Sequence, residues 1–532
     1  MYLKTVLNII SFLLLLNLIQ CDENPIVETT HGPVSGKILR TLIKNVDYFG
    51  FMGIPFAAPP VGELRFMAPQ PADPWNSTLK ATREKPACIQ FNNDVKKGQE
   101  LGWYGVEDCL YLDVFTPAID EESRPVIVFI YNEHFQNSYN KSKDYAPDFF
   151  IEDDIIVVTL SHRLSAFGFL SLENDMVPGN AGLKDIVEGL EWVRDNIKQF
   201  GGDPDRVTLI GLEGGAAAID LLIHSKAKDL FQAAILHSGS SWASTYLQEE
   251  VRERAFKLGE LVEKTSTNDI QLLKELQNVP APDLLTKDVH ASPDDYFKQT
   301  QKSVVAFSPI VEKQPDGLIT EYPEDSMEKI DIPIMIGSNS REALEPMMQY
   351  LIEPRYITFL RKDFPLLLPR RLRFRFDPIK DVYDDATQDI RDFYFKNGKI
   401  NLKSVPDLLT YMGDASVNYV VDYTARLYSE RSEKPVYYYY FDYISNLNEN
   451  KKNLMKYSNT EEGTWDNEEE LGLKWPSYTT EKKEYLHIDK HMQIKKDLNK
   501  KRYEFWDQFI DKWGAMAVNG VISESINKKD EL

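Results

Sequence analysis

Basic residues are scarce in this chain: 61 Lys and Arg stand against 83 Asp and Glu across 532 residues, leaving a formal net charge of −22. A surface of that sign repels nucleic acid and anionic membrane, which excludes both as partners. Long apolar runs are missing too. Past the N-terminus no segment strings together the roughly eighteen apolar residues a transmembrane helix needs, so no membrane span is expected in the mature chain. Neither the eight histidines, the three cysteines nor the acids show the spacing of a zinc site, and no metal or cofactor is expected. No internal repeat or low-complexity linker divides the sequence, and 42% apolar residues suffice for one sizeable core.

Residues 1–21 read as a signal peptide. Lys4 supplies the positive start, and Val6 to Ile19 form an apolar stretch containing Phe12-Leu13-Leu14-Leu15-Leu16. Cleavage is expected near Gln20–Asp22, and an uncleaved anchor is the alternative. A single domain over residues 22–528 follows. The last four residues, Lys529-Asp530-Glu531-Leu532, match the receptor-read address for retrieval to the endoplasmic reticulum. The lumen of that compartment is the expected location, and the retrieval receptor an expected partner. Cys21 falls at the cleavage site, which leaves Cys88 and Cys109 as an even pair in an oxidising compartment. A bridge between them is expected, with a free reactive thiol as the alternative. The sequons Asn76-Ser77-Thr78 and Asn140-Lys141-Ser142 suit the same compartment as glycosylation sites.

The middle of the chain alternates short apolar runs with helical patterns. Val126–Ile130 is apolar throughout, Ile155–Leu160 is apolar but for Thr159, and both are rich in β-branched residues, as buried parallel strands are. From Leu183 the apolar positions Ile186, Val187, Leu190, Val193 and Ile197 repeat at helical spacing. Val207–Ile210 reads as a strand, followed by glycines and a small helical stretch, Ala216–Ile223. Ala233–Leu236, Ile332–Ile336 and Val436–Phe441 complete the strands. Such alternation predicts an α/β fold with a mostly parallel sheet and helices on both faces. The last 90 residues read as polar and mixed, and the basic stretch Pro369–Phe376 as a solvated face.

Several segments resemble the type-B carboxylesterase and cholinesterase family. Gly50-Phe51-Met52-Gly53-Ile54-Pro55-Phe56-Ala57-Ala58-Pro59-Pro60-Val61-Gly62, followed by Leu64-Arg65-Phe66, is similar to its N-terminal segment. Glu107-Asp108-Cys109-Leu110-Tyr111-Leu112-Asp113-Val114 is similar to its cysteine signature, with Cys88 at the family's distance upstream. Pro178-Gly179-Asn180-Ala181-Gly182-Leu183-Lys184-Asp185 and Phe200-Gly201-Gly202-Asp203-Pro204 resemble the approach to its nucleophile. The anchors run from about residue 27 to 240, with weaker matches at 305–345, 435–441 and 475–510. The resemblance implies an α/β-hydrolase fold and a serine-esterase ancestry.

It also implies where the catalytic parts should lie. The family's nucleophile is a serine in G-x-S-x-G on a sharp turn between strand and helix; here the turn reads Gly211-Leu212-Glu213-Gly214-Gly215, and no serine occurs between Gly211 and Ile223. The family's oxyanion loop, His-Gly-Gly-Gly-Phe, corresponds to Tyr131-Asn132-Glu133-His134-Phe135. Side chains are expected to enter the space that glycines leave open, and Gly214 remains as one backbone donor. Glu342, in Gly337-Ser338-Asn339-Ser340-Arg341-Glu342-Ala343, resembles the triad acid. The triad histidine belongs between Val436–Phe441 and Trp475-Pro476-Ser477-Tyr478, yet no histidine lies between Asp442 and Lys474. His487 and His491 read as surface residues, and His162 and His237 as structural ones.

Removing a triad serine or histidine costs on the order of a million-fold in turnover, and what survives comes mainly from the oxyanion hole. The expectation is therefore a catalytically inactive esterase-like protein of the endoplasmic reticulum lumen that binds a luminal protein or a small ligand. The alternative is an unconventional ester hydrolase in which Glu213 replaces the serine. On either reading Glu213 and Glu342 are expected to approach each other and share a proton.

Overall fold

The computed structural model describes residues 24–92, 102–138, 147–248, 251–291, 305–326, 329–344, 364, 367–368, 375–376, 381–443, 474–514, 517–518 and 521–522. The signal peptide, Cys21, Asn140, most of the basic stretch 369–376 and the retrieval tetrapeptide lie outside the described residues.

An eleven-stranded sheet forms the backbone of the molecule. Its strands in chain order are β1 (Lys37–Arg40), β2 (Asp47–Pro55), β3 (Tyr111–Thr116), β4 (Arg124–Asn132), β5 (Ile156–Leu160), β6 (Gly202–Glu213), β7 (Ala233–His237), β8 (Ile334–Asn339), β9 (Val436–Phe441), β10 (Glu484–Ile488) and β11 (Gln493–Lys496). They lie side by side as β11-β10-β9-β8-β7-β6-β4-β5-β3-β2-β1. From β5 to β10 every pairing is parallel, and antiparallel strands finish both edges. Central strands covered on both faces need apolar side chains on both, which is why Val126, Val128 and Ile130 of β4 and Val157 and Val158 of β5 are all buried.

Register places the ends of the central strands. Glu213 faces Asn132 across the β6–β4 ladder, Leu212 faces His237, and His237 faces Gly337. The residues just beyond β4, β6, β7 and β8 therefore meet along one edge of the sheet, where open α/β sheets carry their sites.

Three helices pack around the sheet. Helix α1 (Ala181–Asn196) buries Ile186, Leu190 and Val193, and its Asp185 is held by a buried ion pair with Arg163 at 2.6 Å. Helix α2 (Gly214–Ile223) is buried at every position, and its Ala216-Ala217-Ala218 run lets it lie close on the sheet. Helix α3 (Lys500–Gly514) docks through Tyr503, Trp506, Phe509 and Trp513, a stripe at spacings of three and four. Within the stretch whose composition reads as polar and mixed, residues 484–496 form two strands and 500–514 a helix with a buried aromatic stripe. His487 corrects the surface reading directly: it lies in β10 and is 7% exposed, with Nε2 3.5 Å from Asp442 and its ring beside Tyr440 and Tyr485. Lysines flank β10 in sequence, and Lys495 and Lys496 lie exposed on the neighbouring edge strand β11, which masks the inward position of His487. His491 is exposed, as expected.

Cys88 and Cys109 form a disulfide, and Asn76 is exposed just ahead of a short strand, Leu79–Lys80. The bridge closes a loop of 21 residues in sequence. Replacing both cysteines by alanine should lower the unfolding free energy by about 3 kcal/mol, read from urea titration.

Four buried aspartates add a pH dependence. Burial pushes Asp113 and Asp288 up to about 7, and Asp414 and Asp422 up to about 6. Unfolded aspartates titrate near 4, so between about pH 4 and 7 the folded chain holds protons that the unfolded chain has shed. Stability should accordingly fall as pH rises from 5 to 8, seen as a falling urea midpoint. Asp113→Asn, which preserves the acceptor for the Gly53 N–H, should flatten part of that slope.

Candidate active site at the elbow

Strand β6 ends at Glu213 with φ 52° and ψ −111°, and α2 begins at the next residue. A non-glycine residue held there stores about 1–3 kcal/mol, which persists only because the surroundings impose it. Gly215 shows how: a Cβ on it would come within 2.1 Å of the Ile130 carbonyl oxygen. The backbone of β4 thus sits against the turn, and Glu213 projects from a tight strand-to-helix elbow.

His134 meets it there. Its Nε2 lies 3.0 Å from Glu213 Oε1, and the two side chains keep 48% and 28% of their surface exposed, so solvent reaches both. The loop after β4 aims the imidazole by a tight turn. Glu133 N–H donates to the Asn137 carbonyl at 2.8 Å, Gln136 N–H donates to Glu133 at 2.9 Å, and His134 and Phe135 both have positive φ. Tyr246, buried, stacks against the His134 ring with centroids 6.1 Å apart, and meets Phe135 edge-on. Burial first, then Glu213 and Glu342, pushes the Tyr246 hydroxyl far above its usual range, so it stays protonated.

Asn132 takes the space on the other side. It is fully buried, its Oδ1 accepts the Phe135 N–H at 2.9 Å, and that oxygen lies 1.9 Å from where a Cβ on Gly214 would stand. Tyr131 and Glu133 project together, the Tyr131 hydroxyl donating to Glu133 Oε1 at 2.6 Å. Of the four residues expected to fill the loop, the structure thus brings Asn132 and His134 to the elbow and joins the other two to each other. Gly214 opens α2, so its N–H takes no part in the helix ladder.

Glu342 follows β8 and is held by neighbours of its own. It accepts the Ser238 hydroxyl at 2.7 Å and the Asn339 N–H at 2.5 Å. Burial raises its pKa and those hydrogen bonds oppose the rise. Each carboxylate is thus supplied with its own partner, His134 for Glu213 and Ser238 with Asn339 for Glu342. His237 shares a 2.5 Å hydrogen bond with the Tyr439 hydroxyl, and burial lowers its pKa to about 4, so it is neutral. His162 is buried, its Nδ1 bound to the Arg163 carbonyl and its Nε2 beside Asn132. The segment 444–473, where a triad histidine is expected and the sequence holds none, lies outside the described residues.

The His134–Glu213 pair and the Tyr246 wall did not emerge from sequence reasoning. A signal existed: β4 and β6 are adjacent parallel strands, so the loop leaving β4 must abut the turn leaving β6, and the sequence of that loop holds one histidine, His134. Among the described residues no group of three or more His, Cys, Asp or Glu is arranged to hold a metal ion, and no helix is long and apolar enough to cross a membrane.

Known proteins carry the same frame. The sequence profile of the carboxylesterase family matches residues 23–465. A juvenile hormone esterase of Tribolium castaneum is 33% identical over 445 residues, covering 79% of this chain and 73% of its own. A carboxylic ester hydrolase of Bombus ignitus is 32% identical over 442 residues, covering 80% of this chain and 76% of its own. Esterase B1 of Culex pipiens is 35% identical over 348 residues, or 63% of this chain and 62% of its own. With its parallel sheet, its elbow after β6 and these relatives, the chain belongs to the carboxylesterase family.

Proposed function

We propose that this protein does not perform the acyl-serine chemistry of serine esterases and acts instead by binding a partner protein or a small ligand in the lumen of the endoplasmic reticulum. One observation carries the reading: the elbow presents Glu213, already engaged by His134, where a serine nucleophile would stand. A carboxylate at that position adds negative charge where an ester's developing oxyanion needs donors. Asn132 occupies space beside Gly214 that a glycine loop would leave open. Glu342 remains in place through Ser238 and Asn339, bonds that serve the local fold without a triad. The disulfide, the exposed Asn76 sequon and the motif Lys529-Asp530-Glu531-Leu532 support the compartment.

A fluorophosphonate probe, which phosphonylates activated serines, tests the loss of acyl-serine chemistry. The purified protein should take up no stoichiometric label under conditions that saturate an active serine esterase. Label recovered on a serine of this chain would overturn the reading.

A further inference from the structure

We infer that the tip of the β1–β2 hairpin docks on a zwitterionic lipid surface, with Leu42, Ile43, Val46 and the neighbouring Phe149 entering the interface. The inference goes beyond the binding reading and concerns a part of the molecule remote from the elbow: β2, β3, β5 and β4 stand between β1 and β6 in the sheet.

Large apolar side chains gather at this tip. Leu42 is 88% exposed, more than any other large apolar residue among those described, and Ile43 and Val46 are exposed beside it. Phe149 is 58% exposed and belongs to the short helix Asp148–Glu152, whose Asp148 Oδ1 accepts the Leu42 N–H at 3.0 Å. Exposed apolar residues scattered singly are ordinary, whereas four gathered on one projection mark a contact surface.

The backbone of the tip selects lipid over a protein strand. Thr41 N–H donates to the Val46 carbonyl at 2.9 Å and Val46 N–H to the Thr41 hydroxyl at 3.1 Å. Leu42 N–H is taken by Asp148, and Lys44 N–H by Glu152 Oε1 at 2.7 Å. A strand adding to this segment would need those donors free. An apolar medium needs them satisfied beforehand, because an unmet N–H there costs several kcal/mol. Leu42 also stands out from the surface, which suits a partner that yields around it.

Charge then chooses the lipid. Arg40 is held by Asp47 at 2.5 Å, and Lys44 Nζ donates to the Glu152 carbonyl at 3.1 Å and lies 3.9 Å from Asp153. These two cations meet the four carboxylates of Asp47, Asp148, Glu152 and Asp153, so the rim is net negative, like the whole chain. Anionic headgroups are repelled by it. Phosphatidylcholine carries no net charge and presents its quaternary ammonium outermost, which complements such a rim.

Co-sedimentation with pure phosphatidylcholine vesicles tests the inference, using processed protein whose N-terminus is sequenced to confirm that the apolar stretch Val6 to Ile19 is gone. Binding should be reversible and of the strength of one myristoyl chain, with half the protein bound at about 10⁻⁴ M accessible lipid. The double variant Leu42→Ser, Ile43→Ser should bind about tenfold more weakly or worse. Phe149→Ser is an independent second variant, and thermal melts show that each is folded. Ile270→Ser removes an exposed apolar residue of the helix Asp269–Gln277 and should change nothing. Replacing part of the phosphatidylcholine by phosphatidylserine should weaken binding at low salt. In a Leu42→Trp variant, vesicles of brominated phosphatidylcholine should quench more emission than in the unchanged chain. No sedimentation with phosphatidylcholine, or binding indifferent to both tip variants, would overturn the inference. Tighter binding to phosphatidylserine would do so as well. So would self-association in analytical ultracentrifugation that the double variant abolishes, which would make a second copy the occupant. None of these outcomes bears on labelling by the fluorophosphonate, so the two readings fall separately.

Discussion

The ladder between β4 and β6 governs the chemistry of this molecule. Because the strands run parallel and in register, Asn132 and Glu213 finish opposite each other, and the two chain segments that leave them must share one small volume. Everything notable at the site follows from that neighbourhood. Gly215 must be small because the Ile130 carbonyl is already there. Asn132 fills the recess beside Gly214 because it is the last residue of its strand, and His134 meets Glu213 because it sits two residues further on, in a turn with positive φ. The packing of α2 behind the sheet, with its alanine run, holds the elbow in a backbone conformation that a free glutamate would leave.

Most of the fold was legible in the sequence, for a physical reason. Strands buried on both faces need unbroken apolar runs, and the runs at Val126–Ile130, Ile155–Leu160 and Val436–Phe441 fall where β4, β5 and β9 lie. The cysteine pair was legible from its even count and its motif. Less visible were elements with one wet face. Lysines flank β10, and β11 carries Lys495 and Lys496 exposed, so a reading by average polarity misses the buried Tyr485, Leu486 and His487, and α3 shows its aromatic stripe only when its spacing is counted. At the site, the identities of Glu213, Glu342 and Gly214 could be placed by motif. Their partners could not, since a hydrogen bond such as Ser238 to Glu342 spans 104 residues and depends on which strands are neighbours.

The pairing of Glu213 with His134 also changes what a carboxylate at the elbow means. A lone carboxylate at the elbow would be an unsatisfied charge near low-dielectric walls and would cost stability. Beside an imidazole it has a hydrogen-bonding partner and a shared role in orienting the loop. Glu342 is provided for in a similar way by Ser238 and Asn339. The site is therefore a polar cluster whose members are each held, and its order does not depend on an acyl-transfer reaction.

Asn132 has one further consequence. Its carboxamide accepts the Phe135 N–H that shapes the loop while occupying the volume beside Gly214. Emptying that recess by truncating the side chain would also release the loop from its anchor. Free volume at the elbow and order in the loop are thus tied to a single residue, and neither can be changed without the other.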